Sequence, residues 1–158
     1  MPPEGMDRKE YRRKKFGSEK TVEEMDRRML AVGAQEGIPF ALDKIARSPN
    51  TFDSHRLMWR AAQKGLADTV ADALFRAFFI EGRDIGDRTV LAEIGTKAGL
   101  PDVKAFLDSD EGVKDVRAEE KRALEAGVDS VPTFIIGNKF LVPGAQTPDV
   151  FLEAFESL

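Results

Sequence analysis

Only one stretch of this chain reads clearly as β structure, and it lies near the end. Thr133-Phe134-Ile135-Ile136 and Phe140-Leu141-Val142 are short apolar runs rich in β-branched and aromatic residues, separated by Gly137-Asn138-Lys139. Gly and Asn tolerate the positive φ of a tight hairpin connection, so the pattern predicts two antiparallel strands. Thr147-Pro148 then predicts a helix start, with Thr147 as N-cap, and Val150, Phe151, Ala154, Phe155 and Leu158 recur at helical spacing. A lone hairpin is marginal in water and needs a third strand or a helix against its apolar faces. The rest of the chain offers no other convincing strand, so the sheet that the hairpin implies is incomplete within this sequence.

Upstream the pattern is helical. Residues 1–6 form a Pro- and Gly-containing lead-in with no element expected. A basic helix is expected from Asp7 to about Phe16, broken by Gly17, and a second begins at the N-cap Ser18, with Val22, Met25, Met29, Leu30 and Val32 as its apolar stripe and Gly33 or Gly37 at its end. Ile38 to Leu42 is an extended connector, and Ser48-Pro49-Asn50-Thr51 is a turn into the next helix. Leu57, Met58, Ala61 and Ala62 then make one buried face and Val70, Leu74, Phe75, Phe78 and Phe79 another. A third helix, capped by Asp87, buries Val90, Leu91 and Ile94. A short helix from Pro101 to Leu107 and a charged one from about Val113 to Ala126 follow. Phe residues at helical spacing are read as core.

Composition narrows the chemistry. The 158 residues hold no Cys and a single His, which excludes thiolate chemistry within this chain and argues against a conventional zinc site or any metal centre. No run approaches the length of a membrane helix, and "MPPEGMDRKEYRRKK" has no apolar core of a signal peptide, so no membrane association and a cytoplasmic location are expected. The basic run from Arg8 to Lys15 is interrupted by Glu10, and the formal net charge is -4. Such a run reads as a solvated helix face, and nucleic acid is not expected as a partner.

"GVDSVPTFIIGNKFLVPGAQTPDVF" resembles the C-terminal half of the thioredoxin-like domain in the DsbA family, in its FrnE-like cytoplasmic branch. "RSPNTFDSHRL" and "FRAFFIEGRDIGDRTVLAEIG" resemble the helical domain inserted there. The resemblance implies an α/β, partly thioredoxin-like fold that is mostly α in this chain. It implies three segments: residues 1–51 as helices and connector of the thioredoxin-like part, 52–126 as the helical insertion, and 127–158 as the closing hairpin and helix. Family members carry a strand, a Cys-x-x-Cys helix and a second strand ahead of a segment like "MPPEGM", and this chain reads as truncated by that βαβ piece.

The same resemblance implies that the Val131-Pro132 bond is cis and that the backbone of Val131 pairs with an extended substrate peptide. The residues alone allow a strand-initiating Pro. Asn50 and Thr51 open the helical domain, beside the active site in similar proteins, but both also serve well as N-caps for a helix beginning at Phe52. Gln146, in Gly144-Ala145-Gln146, belongs to the loop near the same cleft, or to a plain turn. His55, one turn into that helix, reads as a capping or core-edge residue, since no partner motif accompanies it. No catalytic residue and no cofactor are assigned.

Three functional readings stand together. One is a DsbA-family thiol-disulfide oxidoreductase relative that has no redox activity on its own, with the glutathione transferase kappa and 2-hydroxychromene-2-carboxylate isomerase branch as a variant. Another is a non-catalytic module for an extended peptide or small thiol. The third is a fragment that persists by pairing with something else, and self-association through residues 133–136 is expected of an unpaired apolar edge.

Overall fold

The computed structural model describes residues 1–158, which divide into two compact units, 1–116 and 117–158. The first unit opens with β1 (Met6–Asp7), paired antiparallel with β2 (Arg47–Ser48) in the register Met6 to Ser48 and Asp7 to Arg47. This short ladder corrects the expectation that residues 1–6 carry no element. The two strands are 41 residues apart and two residues long, so neither shows a local β pattern. Between them lie α1 (Arg8–Phe16), capped by the Asp7 carboxylate on the N–H of Glu10 at 2.9 Å, and α2 (Glu19–Gln35), capped by the Ser18 hydroxyl on the N–H of Thr21. A single 3-10 turn at Leu42–Lys44 completes the connector.

The apolar stripe of α2 is not a core face. Met25, Met29, Leu30 and Val32 are all exposed, and only Gly33 is buried, with the ring of Phe40 lying where a Cβ would stand. Gly33 therefore marks a close approach inside the helix rather than its end. Helical periodicity states that one face is apolar; burial also needs a neighbour to cover it.

The core of the first unit is built by α3 (Phe52–Ala62), α4 (Ala67–Phe79), α5 (Arg88–Lys97) and α6 (Val103–Asp108). Leu57, Val70, Leu91, Val103 and Leu107 are essentially fully buried there, each removing apolar surface that stabilises by about 1.5–3 kcal/mol. Ala62, expected on the buried face, is exposed, and Ala61 takes the core position. Phe75 departs further: it is 63% exposed, stacked on Phe79, which in turn meets Phe40 and Phe78 edge-on. Phe40, Phe78 and Phe79 are half-buried, so the rings form a partly exposed cluster, and Phe75 lies outside the core expected of it. Trp59 packs beside the core and covers Gly112, whose positive φ and lack of a side chain let the indole lie on the backbone.

Arg56 is the largest side chain in this interior, with 1% exposure. Its guanidinium donates to the carbonyls of Phe106, Leu107, Ser109 and Glu111 and to the Asp53 carboxylate at 2.7 Å, and it lies over the Phe106 ring at 5.0 Å. The carbonyls at the end of α6 have no partner within the helix, and a cation there also suits the negative end of the helix dipole. Asp53 is shared with Arg88 at 2.7 Å. Burial alone would raise the Asp53 carboxyl, but the hydrogen bonds and charges of Arg56 and Arg88 outweigh it and hold the group below its ordinary value.

Helix α7 (Val113–Glu125) runs through the division between units. In the second unit β3 (Thr133–Ile136) and β4 (Phe140–Pro143) form the expected hairpin, with Ile136 opposite Phe140. Gly137 and Asn138 both take positive φ, 57° and 54°, and Lys139 N–H closes the turn on the Ile136 carbonyl at 3.1 Å. Helix α8 (Pro148–Glu156) covers one face, where Ile136, Val142 and Ala154 are buried and Phe134 meets Phe151 edge-on. Thr147 stands at the cap position, although its hydroxyl makes no capping hydrogen bond. Pro148 at the first helical position removes one N–H that would otherwise need a partner.

Candidate functional site

The hairpin unit presents a ledge just ahead of β3. The Val131-Pro132 peptide is cis, and Val131 is 88% exposed, with neither its N–H nor its C=O paired inside the chain. The flanking backbone is tied down instead. Pro132 C=O accepts from Gly144 N–H at 2.7 Å, and the Thr133 hydroxyl donates to Ser130 C=O at 2.6 Å. Gln146 Nε2 donates to Pro143 C=O at 2.8 Å, so its side chain braces the loop that carries Gly144. Val131, Pro132 and Gln146 therefore belong to one braced corner of the hairpin. An exposed residue with a free donor and a free acceptor can accept an extended peptide by strand-like pairing. Next to it the Ser130 hydroxyl donates to the Asp129 carboxylate at 3.0 Å, and residues 117–158 carry no Cys and no His.

Asn50 and Thr51 lie in the first unit. The Asn50 carbonyl Oδ1 accepts from Phe52 N–H at 3.0 Å, and its amide nitrogen lies 3.3 and 3.2 Å from the carbonyls of Met1 and Pro2. Its hydrogen-bonding capacity is spent on starting α3 and holding the lead-in. Thr51 occupies the cap position without a side-chain bond, the cap being supplied from one residue earlier. His55 is exposed on α3. No group of three or more His, Asp or Glu side chains converges as a metal site would require. The most heavily bonded polar group, Arg56, carried no sequence signal. Its acceptor carbonyls lie 50 to 55 residues downstream.

Comparison with known proteins bears on this geometry. The chain is 30% identical to a probable DsbA oxidoreductase from Streptomyces coelicolor, whose crystal structure superposes with a TM-score of 0.80 over 92% of this chain and 64% of that one. It is 37% identical over 86 residues, 51% of this chain and 42% of the relative, to the uncharacterized protein YwbO of Bacillus subtilis. The chain thus spans less than two thirds of the length of either. The family description of the DSBA-like thioredoxin domain matches residues 1–156. With the matched residues running from the lead-in to α8, the chain belongs to the DSBA-like thioredoxin domain family.

Proposed function

We propose that this chain supplies the peptide-holding part of a DsbA-type, FrnE-like thiol-disulfide oxidoreductase fold and binds an extended peptide or a small thiol at Val131. The observation that carries the reading is the unpaired N–H and C=O of the exposed Val131 in a corner braced by Pro132, Gly144 and Gln146. Family membership and the likeness to the probable oxidoreductase support the same chemistry. Disulfide exchange needs an attacking thiolate, and this chain has no Cys, so it holds the substrate without turning it over. A cytoplasmic setting belongs to this reading through the FrnE-like resemblance, and no helix is long and apolar enough to cross a membrane.

The test is a polarisation titration with a fluorescent extended peptide and the same peptide carrying an ester in place of its central amide. The ester removes one N–H donor and should weaken binding by about 0.5–1.5 kcal/mol. No saturable binding of either ligand, together with none of glutathione, would overturn the reading. A second occupant of the same region is another copy of the chain. Within its sheet β3 pairs only with β4, and Phe134 and Ile135 are exposed. Concentration-dependent sedimentation, abolished by Ile135→Lys, is the outcome expected if the edge at 133–136 self-associates.

A further inference from the structure

A groove of about 490 Å³ lies between α1, α2 and the 3-10 turn, away from Val131 in sequence and in the other unit. Its floor is apolar, with Leu42 and Ile45 buried and Leu30 and Val22 along the α2 side. Inside it two guanidiniums face one carboxylate. Arg12 Nη1 takes Asp26 at 2.6 Å, while Arg8 Nη2 stands 3.8 Å from the same carboxylate and donates no hydrogen bond to it. The two Arg side chains are only 15% and 12% exposed, so this is a sheltered pair of cations sharing a single anion. Glu19, Glu23 and Asp43 on the rim, and Lys9 and Arg13 beside them, are exposed, and none is paired with Arg8.

A guanidinium carries five donors and stays charged, and sheltering it without acceptors is costly. Burial and the neighbouring Arg12 charge lower the proton affinity of Arg8, with Asp26 opposing them only in part. The lining as a whole is balanced, with Glu19, Glu23 and Asp43 facing solvent beside Lys9 and Arg13, but the two sheltered guanidiniums share only Asp26, which leaves Arg8 without a planar acceptor of its own. A carboxylate supplies one in the fork geometry that Arg favours. A dianion such as phosphate would bring its second charge toward Asp26, and a bare acetate would leave the apolar floor unused. The volume falls within the range of roughly 300–1,000 Å³ typical of small-molecule sites.

We propose that this groove binds an amphiphilic monocarboxylate, with its carboxylate on Arg8 and its hydrocarbon body against Leu30, Leu42 and Ile45. The proposal is independent of the peptide reading at Val131. Octanoate, octanol and acetate are titrated into the full chain by calorimetry, with Arg8→Met and Lys9→Met as variants. Octanoate should saturate with a dissociation constant below about 1 mM, and acetate and octanol should each be at least roughly tenfold weaker. Arg8→Met should weaken octanoate by about tenfold or more while leaving octanol unchanged, and Lys9→Met should stay within about twofold. Octanoate binding that does not saturate, that equals octanol, or that survives Arg8→Met would overturn the proposal. The comparison of the three ligands uses the unmodified protein, so it decides the matter even where a variant does not fold.

Discussion

Replacing Arg56 by Met keeps an unbranched stem in the interior and removes every polar contact of the guanidinium. Three carbonyls, those of Leu107, Ser109 and Glu111, and one Asp53 oxygen lose the guanidinium together, while Phe106 C=O keeps the N–H and hydroxyl of Ser109. Breaking a buried ionic network by removing one partner costs about 3–5 kcal/mol, a large part of the roughly 5–15 kcal/mol that holds a typical domain folded. In urea, with a slope of about 1–3 kcal/mol/M, the midpoint should fall by roughly 1–5 M when followed by far-UV circular dichroism. Arg60→Met is the control. Arg60, with 15% of its side chain exposed, lies over the Phe106 ring at 4.6 Å and donates to one carbonyl, that of Pro101, so its loss removes a single charged hydrogen bond and should cost less than that of Arg56, about 1.5–3 kcal/mol at most. The network also has a pH signature. Because Asp53 is held below its ordinary 3.8, its ionisation stabilises the fold above that pH, and the contribution is lost as pH falls through the lower folded value. Arg56→Met removes one of the two cations while burial remains, so the difference in stability between neutral and acid pH should shrink. An Arg56→Met protein within about 1 kcal/mol of the parent, with an unchanged acid limb, would show that water or neighbouring groups replace the guanidinium and that the network does not hold α6 in place.

Further outcomes follow from burial and composition. Leu57→Ala should destabilise by about 2–5 kcal/mol in the same titration, since the side chain is fully buried among α3, α5 and α6. Phe75→Ser should change stability by no more than about 0.5 kcal/mol despite removing a ring, whereas Phe106→Ala, with its ring buried, should cost about 3–5 kcal/mol; equal effects would contradict the surface assignment of Phe75. An insulin-reduction assay with the purified chain should not rise above background, because there is no thiol to attack the disulfide.

What could be read from the sequence was local. The hairpin was legible because its turn residues and β-branched runs sit within eleven residues, from Thr133 to Pro143. The caps at Ser18 and Asp87 were legible because their hydroxyl and carboxylate act two or three residues ahead. Arg56 was not, since an Arg between His55 and Leu57 reads as a solvent-facing cation until α6 is brought against it. The α2 stripe and Phe75 show the converse: a regular apolar pattern without a covering neighbour stays exposed. At the ledge, Val131-Pro132 stood out through a family resemblance, while the brace from Gln146 to Pro143 and the use of Asn50 on the lead-in depend on side-chain directions that only the folded chain defines.

The seating of Trp59 on Gly112 gives the molecule an optical asymmetry. Trp59 and Tyr11 are the only Trp and Tyr of the chain, and both lie in residues 1–116, while residues 117–158 carry neither. Intrinsic emission is therefore blind to the hairpin and α8, whereas peptide-bond ellipticity senses both units. If the two units melt together, emission and ellipticity trace one curve. If the hairpin opens first, ellipticity falls while the indole keeps its native spectrum, and the gap between the curves measures the separate stability of residues 117–158 without any label.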